Sequence, residues 1–396
     1  MFTNSVMRIV SRQLGREGRS LVILLLIPFH TARIFDPFEA NYVSNGQTSR
    51  GMFEVFIGVT SPWIMPLLFF LAGSATWLAL ERRSAGEYLA ERVRRLLVPL
   101  VFGVLVVVPP QAYLGWVTHG GASTSYFGFL ADYFWHPQGD LTGYTGQFTP
   151  AHLWFVLYLL IISAVLLPLL LFLRRRHEGN AATGFARFLS RPGALFLLPI
   201  PLTVALAAPS PGGKNIVFYA LIFFLGYLFI GDRRLQLVLD RNRYVALGLG
   251  IVAMAGSRLI FSMHADWSTF SLPSILYGLL QSFNTWFWLV ALVAFGRRLL
   301  NFSNRPLRYF SQASYPFYII HQTVIVAIGY YIVRWNLGVW PKFLVIAACS
   351  FVVTMALYDL VIKRTPATRL LFGLRVHALR LGRSKSGRTL KRPGEV

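Results

Sequence analysis

Ten apolar runs, separated by short arginine-rich segments, constrain this chain more than any other feature of its sequence. A bilayer core takes about 20 apolar residues per helix, and most of the runs approach that length. The fifth and sixth runs are short and adjacent, so they predict either one hairpin or a partly re-entrant pair. We expect an all-α, polytopic integral membrane protein with about ten transmembrane helices. The runs are 18–36, 57–80, 96–117, 152–173, 193–208, 215–230, 244–263, 272–295, 314–333 and 341–362.

Composition excludes the main soluble alternatives. Hydrophobic residues make up 55% of the 396 residues and charged residues 13%, which is more apolar surface than a soluble fold can bury. The net charge of +23 would suit a nucleic-acid-binding protein, but the charges fall in short clusters between the apolar runs. We therefore expect no nucleic acid partner. The single cysteine, Cys349, lies in an apolar run, so we expect neither a disulfide framework nor a metal site built on cysteines.

The positions of lysine and arginine predict the orientation in the membrane. If the segments between runs alternate across the bilayer, 32 of the 38 lysines and arginines fall on one side. Such residues are retained in the cytoplasm, so both termini are predicted to be cytoplasmic, in a bacterial inner membrane. No small-residue cleavage site follows the first run, which favours an uncleaved helix over a signal peptide. We expect residues 1–365 to form the membrane domain and residues 366–396 a basic cytoplasmic tail, disordered at its end and attracted to anionic membrane lipid.

The first run, "RSLVILLLIPFH", carries an ionisable residue near each end. Arg19 and His30 are eleven residues apart, about three helical turns, so they share a face and differ in height by about 16 Å. Pro28 has no N–H, so the carbonyl of Leu24 loses its helical hydrogen bond. Within a membrane, an unpaired carbonyl of this kind is tolerated where the helix lines a cavity or packs on protein. A histidine within a span is either a functional residue or an interhelical hydrogen-bonding group. The shared face favours function, with Arg19 holding an anionic cofactor and His30 acting as a general base.

Five segments resemble the acyltransferase-3 family, in the same order along the chain. "RSLVILLLIPFH" is similar to the arginine-x10-histidine signature of that family, and "LLFFLAGSATWLALERR" is similar to its second helix, with Ala72 where the family usually has serine. "YLAERVRRLLVPLVFGV" carries the arginine-x-x-arginine of the family at Arg92 and Arg95. "AHLWFVLYLL" and "ASYPFYIIHQTVIV" resemble the openings of its fourth and penultimate helices. Ala72 weakens any role for the missing hydroxyl.

The resemblance implies a multi-spanning enzyme that O-acylates glycans or lipids at the outer face of the membrane. Within the family, the chain most resembles the glucan-biosynthesis branch, which is implicated in succinylating periplasmic glucans. The resemblance therefore implies an acyl-CoA donor, succinyl-CoA or acetyl-CoA, that is not permanently bound, and a glycan or glucan acceptor. Arg92 and Arg95 would then hold the phosphates of coenzyme A together with Arg19, because guanidinium pairs bidentately with phosphate. The alternative is that both serve only the inside-positive topology.

Further polar residues are candidates for binding the acceptor. His152 and Trp154 open the fourth run, where an interfacial aromatic belt is the simpler explanation for Trp154. His321 follows Tyr315 and Tyr318 on successive turns, a polar stripe that predicts either a cavity wall or a structural hydrogen bond. The stripe also includes Gln322.

The loop 118–151 contains no lysine or arginine and predicts either a sugar site or a plain solvated loop. Aromatic rings stack on sugar faces, and carboxylates accept hydrogen bonds from hydroxyl groups. Arg33 lies one turn beyond His30, and three carboxylates could pair with Arg33 or His30; the sequence does not choose among Asp36, Glu39 and Glu54. The candidate sugar-binding residues of the loop are Asp132, Tyr133, Trp135, His136, Asp140 and Tyr144.

The sequence thus predicts an integral membrane O-acyltransferase with His30 and Arg19 as catalytic residues. A continuous polar passage should join Arg19 to the loop 118–151 through His30. The alternative is a transporter or flippase of a lipid or glycan, against which stands the absence of an internal repeat. The acyl group, the acceptor, the oligomeric state, and the choice between direct transfer and an acyl-histidine intermediate stay open. The donor-binding residues are predicted to be Arg19, Arg92 and Arg95, and the acceptor-binding residues Arg33, His152, Trp154, His321, Asp132 and Trp135.

Overall fold

The computed structural model describes residues 2–37, 41–46, 51–121, 125–135, 143–178, 183–210, 213–263, 271–300 and 304–375. Within these ranges the secondary structure is helical, joined by turns and short irregular segments. The helices are α1 (Phe2–Arg33), α2 (Met52–Leu80), α3 (Ala85–Thr118), α4 (Tyr126–Trp135), α5 (Ala151–Val165), α6 (Leu167–Glu178), α7 (Thr183–Leu189), α8 (Ala194–Ala205), α9 (Ile216–Gly231), α10 (Arg233–Ser262), α11 (Leu272–Leu299), α12 (Arg305–Ile332), α13 (Val339–Ile362) and α14 (Pro366–Leu371).

Each of the ten predicted runs coincides with a helix or a pair of helices, and the fold is all-α across the described ranges. Five helices, namely α2, α3, α10, α11 and α13, are long and apolar enough to cross a membrane. The pair α5 and α6 bends by 50° and would count as a sixth span. The fifth and sixth runs form the shorter helices α8 and α9. The count of ten spans and the cytoplasmic termini therefore stay predictions.

Prolines and π-helical turns inside the helices leave carbonyl groups that accept hydrogen bonds from side chains of other helices. Pro66 has no N–H for the carbonyl four residues earlier, and that carbonyl, of Pro62, accepts a hydrogen bond from Thr285 on α11 at 2.9 Å. Helix α3 contains two π-helical turns, the second of which ends at Val107. The carbonyl of Val107 accepts from Thr323 on α12 at 2.9 Å. Irregular backbone thus joins α2 to α11 and α3 to α12.

Helices α2 and α9 cross at two glycines. A Cβ atom on Gly73 would clash with the carbonyl of Phe223, and one on Gly226 would clash with the carbonyl of Phe70. Ser74 donates a hydrogen bond to the carbonyl of Gly226 at 3.0 Å, which satisfies a hydroxyl in this close contact. The crossing brings together the C-terminal halves of α2 and α9.

The two ends of the helix bundle differ in composition. We call the end where Arg19 meets the C-terminal ends of α2, α9 and α11 the basic face. We call the opposite end, where α1 and α3 finish and α5 begins, the loop face. The segment predicted as a tail starts with ordered structure, because α14 precedes Phe372, which is buried against Phe102 at a ring separation of 5.3 Å. Arg375 then reaches the basic face.

Candidate active site

Three histidines from three helices meet toward the loop face. The ring centroids of His30 on α1 and His321 on α12 lie 5.2 Å apart, and those of His152 on α5 and His321 also lie 5.2 Å apart. His321 and His152 are buried, while His30 is half-buried. The structure therefore brings together three residues that are 122 or more positions apart in the chain. We call these three residues the histidine cluster.

Backbone carbonyl groups of α12 set the tautomers of two of these rings. The Nδ1 atom of His321 lies 2.6 Å from the carbonyl oxygen of Tyr318, and the Nε2 atom of His152 lies 2.8 Å from that of Ile319. A carbonyl oxygen only accepts, so both of these nitrogens carry the proton and donate. The remaining nitrogens, Nε2 of His321 and Nδ1 of His152, are buried and have no hydrogen-bond partner within the described ranges. Each therefore offers a lone pair to whatever enters the cluster.

The turn directly before His152 is strained and places the ring of His152 in the cluster. Ala151 has a φ of +47°, the one non-glycine residue with positive φ in the described part of the chain. Its N–H donates to the hydroxyl of Thr149 at 3.0 Å, and the hydroxyl of Tyr318 donates to the carbonyl of His152. Strain of this kind persists only where neighbouring contacts enforce it, and it is common at functional sites.

Two cations stand close to the cluster. Arg33 and Lys214 are both near enough to His30 for their charges to act on its ring. Arg33 pairs with Asp36 at 2.7 Å, while the ammonium of Lys214 lies 5.6 Å from the ring centre of Trp154. Of the other carboxylates proposed as partners, Glu54 pairs with Arg258 at 3.0 Å, and Glu39 lies outside the described residues.

Trp154 belongs to an aromatic group beside the histidines. Its ring lies 5.1 Å from that of Tyr219 and 5.5 Å from that of Tyr158. The hydroxyl of Tyr158 donates to the carbonyl of Lys214 at 3.0 Å, which anchors the segment that carries the lysine. This group places flat aromatic surface and a cation next to the histidine cluster.

A cavity of about 550 Å³ opens at the basic face. We call it the basic cavity. Arg19 lines it at the side of α1, and His30 is not among its lining residues. Apolar side chains of α2, α9, α10 and α11 form the rest of its wall, including Phe70, Leu78 and Phe229. Four further arginines line it: Arg82, Arg83, Arg297 and Arg375.

Two of these arginines are held in place by neighbouring side chains. Arg297 is buried, donates to Gln236 at 2.8 Å and lies 3.5 Å from the carboxylate of Asp240. Arg83 forms an ion pair with Glu91. Fixed guanidinium groups beside an apolar wall suit a ligand with phosphate groups and a flat or apolar body.

The arginine pair predicted on α3 lies beside the basic cavity rather than in its lining. Arg92 donates to the hydroxyl of Thr76 at 2.9 Å and stacks 4.8 Å from the ring centre of Tyr88. Arg95 lies 3.5 Å from Glu91, the same carboxylate that pairs with Arg83. Arg95 is thus linked to the cavity through one shared carboxylate, and Arg92 serves the contact between α2 and α3.

The loop 118–151 contains α4, which packs by one face and exposes the other. Phe129 and Tyr133 are buried against α3, and burial raises the pKa of Tyr133 to about 12. Asp132 and Trp135 are exposed, the latter to 81%. The ring of Tyr144 contacts that of Tyr42 at 5.1 Å; His136 and Asp140 lie outside the described residues. Asp132 and Trp135 thus lie on the exposed face of α4.

Sequence reasoning did not single out five residues that the structure brings to these sites. The inside-positive pattern alone accounts for Arg82, Arg83 and Arg297, and Lys214 is one of the six cations that this pattern leaves on the other side. The remaining residue, Arg375, falls in the predicted tail. The sequence shows that basic segments alternate across the membrane. It does not show which helix ends lie next to each other, because that depends on tertiary packing. Among the described residues no group of three histidine, cysteine or acidic side chains has the arrangement of a metal site.

Comparison with known proteins identifies the family of the chain. A family model described as an acyltransferase domain matches residues 18–359. The proteins named "Glucans biosynthesis protein C" of Escherichia coli strain K12 and of Escherichia coli O157:H7 are each 24% identical to the chain in an alignment 375 residues long, which covers 89% of this chain and 92% of each relative. No solved structure matches the chain. The match covers α1 to most of α13, so the chain belongs to the acyltransferase-3 family and is a membrane O-acyltransferase.

Proposed function

We propose that this enzyme moves an acyl group, succinyl or acetyl, from acyl-CoA on the cytoplasmic side to a hydroxyl group of a glycan outside the cytoplasmic membrane. A periplasmic glucan is the acceptor suggested by the printed name of the relatives. The observation that carries the proposal is the pairing of two sites on one helix. Arg19 lines the basic cavity, and His30, about 16 Å further along α1, belongs to the histidine cluster.

The basic cavity suits the nucleotide end of coenzyme A. Its arginines would pair with the phosphates, and its apolar wall of Phe70, Leu78 and Phe229 would contact the adenine. A rise of about 16 Å along α1 is within reach of an extended pantetheine arm but leaves the nucleotide at the basic face. The donor would therefore present its thioester near His30 without crossing the membrane as a whole.

The histidine cluster suits the acyl-transfer step. His30 takes the proton of an acceptor hydroxyl, the oxygen attacks the thioester carbonyl, and the carbon–sulfur bond breaks. The thiolate that leaves takes the proton back from His30, so the enzyme ends in its starting state. Trp154 and Lys214 stand where a sugar ring and its hydroxyl groups would approach, and Arg33 is one turn further along α1.

Binding and turnover of purified protein test the proposal. Reconstituted enzyme should bind coenzyme A, and transfer of labelled succinyl or acetyl from acyl-CoA to a periplasmic glucan should be detected by mass spectrometry. Comparison of glucans from cells with and without the gene would give the acyl group and the acceptor. Absence of acyl-CoA binding together with movement of an unmodified glycan or lipid across vesicles would establish the transporter alternative instead.

A further inference from the structure

We propose that His321 is a positioning residue that accepts a hydrogen bond from His30 and holds its protonated form during acyl transfer. The inference rests on the proposed function, in which His30 is the base, and it assigns a role to a neighbouring imidazole. The role is that of an orienting partner, which in many hydrolases is a carboxylate. Here the partner is an uncharged ring whose tautomer is set by the protein backbone.

Toward His30, the His321 ring can act only as a hydrogen-bond acceptor. Its Nδ1–H donates to the carbonyl of Tyr318, so its Nε2 atom can only accept. That Nε2 atom is buried and has no partner within the described ranges. The ring is held in place by stacking on Phe317, with an angle of 6° between the two planes. An acceptor is therefore fixed beside His30 before any substrate arrives.

His30 can supply the donor. Its ring centroid lies 5.2 Å from that of His321, with 55° between the ring planes, which is close enough for an N–H of His30 to reach Nε2 of His321 when the rings turn toward each other. Among the described residues no hydrogen bond engages the His30 ring, which leaves a ring N–H of His30 available to the unpartnered Nε2 atom of His321. With one nitrogen donating to His321, the other nitrogen faces the substrate as the base.

The surroundings of His30 explain why such a partner matters. Arg33 on its own helix and Lys214 before α9 are positive, and His152 on α5 is held as an uncharged donor to Ile319. Protonated His30 therefore has two cations near it. The carboxylate of Asp36 is engaged by Arg33 at 2.7 Å. A lone pair on His321 stabilises the imidazolium without adding a buried negative charge, whose desolvation would be costly.

The proton balance of the proposed step is unchanged. The hydroxyl proton moves to the substrate-facing nitrogen of His30 while the opposite N–H of His30 remains bonded to Nε2 of His321. The new carbon–oxygen bond forms, the carbon–sulfur bond breaks, and the proton passes from His30 to the thiolate. No proton is transferred to His321, which is why its effect is on orientation and on the charged form of His30.

Carbethoxylation of His30 by diethylpyrocarbonate, followed by peptide mass spectrometry across pH, tests the pair without requiring turnover. The reagent reacts with neutral imidazole, so the midpoint of the reaction reports protonation of His30. The substitutions His321→Ala and His321→Phe remove the acceptor, and Phe matches the shape of the ring. We expect both to move the midpoint to lower pH by about one unit, the size expected for a hydrogen bond to a charged group.

Two controls separate this role from a structural one. His321→Gln keeps an acceptor oxygen and should leave the midpoint close to that of the unsubstituted protein. His119→Gln removes a ring with the same kind of local bond, from Nδ1 to the carbonyl of Gly115 at 2.8 Å, in a residue with no ring contact to His30. It should change neither the midpoint nor the activity. Size-exclusion chromatography reports which variants fold.

Turnover gives the second readout. The Ala and Phe variants should lose about tenfold or more in kcat with little change in the KM for acyl-CoA, and Gln should recover part of the loss. An unchanged His30 midpoint in the folded Phe or Ala variant overturns the proposal, even if activity falls. A shifted midpoint in a protein that transfers no acyl group would support the histidine pair and reject the proposed function.

Discussion

The histidine cluster and the basic cavity each include one residue of α1, His30 and Arg19, but the two sites accommodate polar groups in different ways. In the cluster, two rings are buried and their protons are directed by the carbonyl groups of Tyr318 and Ile319. In the cavity, five arginines line the wall, and Arg19 itself is exposed. Buried groups without an ion-pair partner, such as these two rings, are best kept uncharged with hydrogen bonds provided by the fold, because burying an unpaired charge is costly. A site at the rim can gather like charges, because water and salt screen them until an anion binds.

Substitution of His30 should produce the largest effect. The variant His30→Ala is expected to lose about 100-fold or more of the acyl-transfer rate, because His30 is the proposed base that takes the hydroxyl proton. Coenzyme A binding should be retained, since the basic cavity does not include His30. The measurement is turnover with labelled acyl-CoA beside binding of coenzyme A, with His119→Ala as the matched control. Near-normal turnover would remove His30 from the mechanism.

Substitution in the basic cavity should change donor binding rather than chemistry. Arg19→Gln is expected to weaken coenzyme A binding about tenfold, the loss typical of one charge-assisted hydrogen bond. The rate at saturating donor should change little, and raising the salt concentration should weaken binding in the parent protein more than in the variant. Arg334→Gln, a surface arginine that donates to the carbonyl of Tyr330, is the control. Equal affinities for parent and Arg19→Gln would refute the assignment of the cavity to the donor.

Substitution at the crossing of α2 and α9 should lower stability and disturb the cavity alone. Gly73→Ala places a methyl group against the carbonyl of Phe223, and overpacking of this kind costs about 1–3 kcal/mol. Gly86→Ala meets nothing within 4 Å and is the matched control. Thermal unfolding in detergent and coenzyme A affinity are the measurements. A Gly73→Ala protein with unchanged stability would show that the two helices can separate without cost.

The smallest effect is expected for the arginine pair of α3. Arg92→Ala and Arg95→Ala should each weaken donor binding by about two- to threefold, because screened charges outside the cavity contribute little. Arg95 should have the larger effect, since it shares Glu91 with Arg83 of the cavity. Titration of coenzyme A at low and high salt would measure this. A loss as large as that of Arg19→Gln would place the phosphates nearer to α3 than the cavity indicates.

Much of the fold could be predicted from the sequence because apolar runs and prolines act locally. The runs gave the helix positions, and the spacing of Arg19 and His30 gave their shared face, since both depend only on the geometry of one helix. The number of spans does not follow from the runs in the same way, because α1 and α12 mix charged and polar residues with apolar ones and α8 and α9 are short. Length and composition alone do not say whether such helices cross a bilayer.

The functional sites show the same difference between what is local in the sequence and what depends on tertiary packing. His30 and His321 stand out in the sequence because an ionisable group within an apolar run is costly wherever the helix packs, whereas His152, at the start of its run, stands out through the family resemblance. Their meeting, the opposite tautomers of His152 and His321, and the gathering of Arg82, Arg297 and Arg375 around Arg19 were decided by tertiary structure alone. Contacts of this kind depend on how helices cross, and the crossing of α2 and α9 at two glycines is a property of two distant segments together. The sequence by itself determined which ionisable residues lie within or beside apolar helices. The packing of the helices determined which of these residues are close enough to interact.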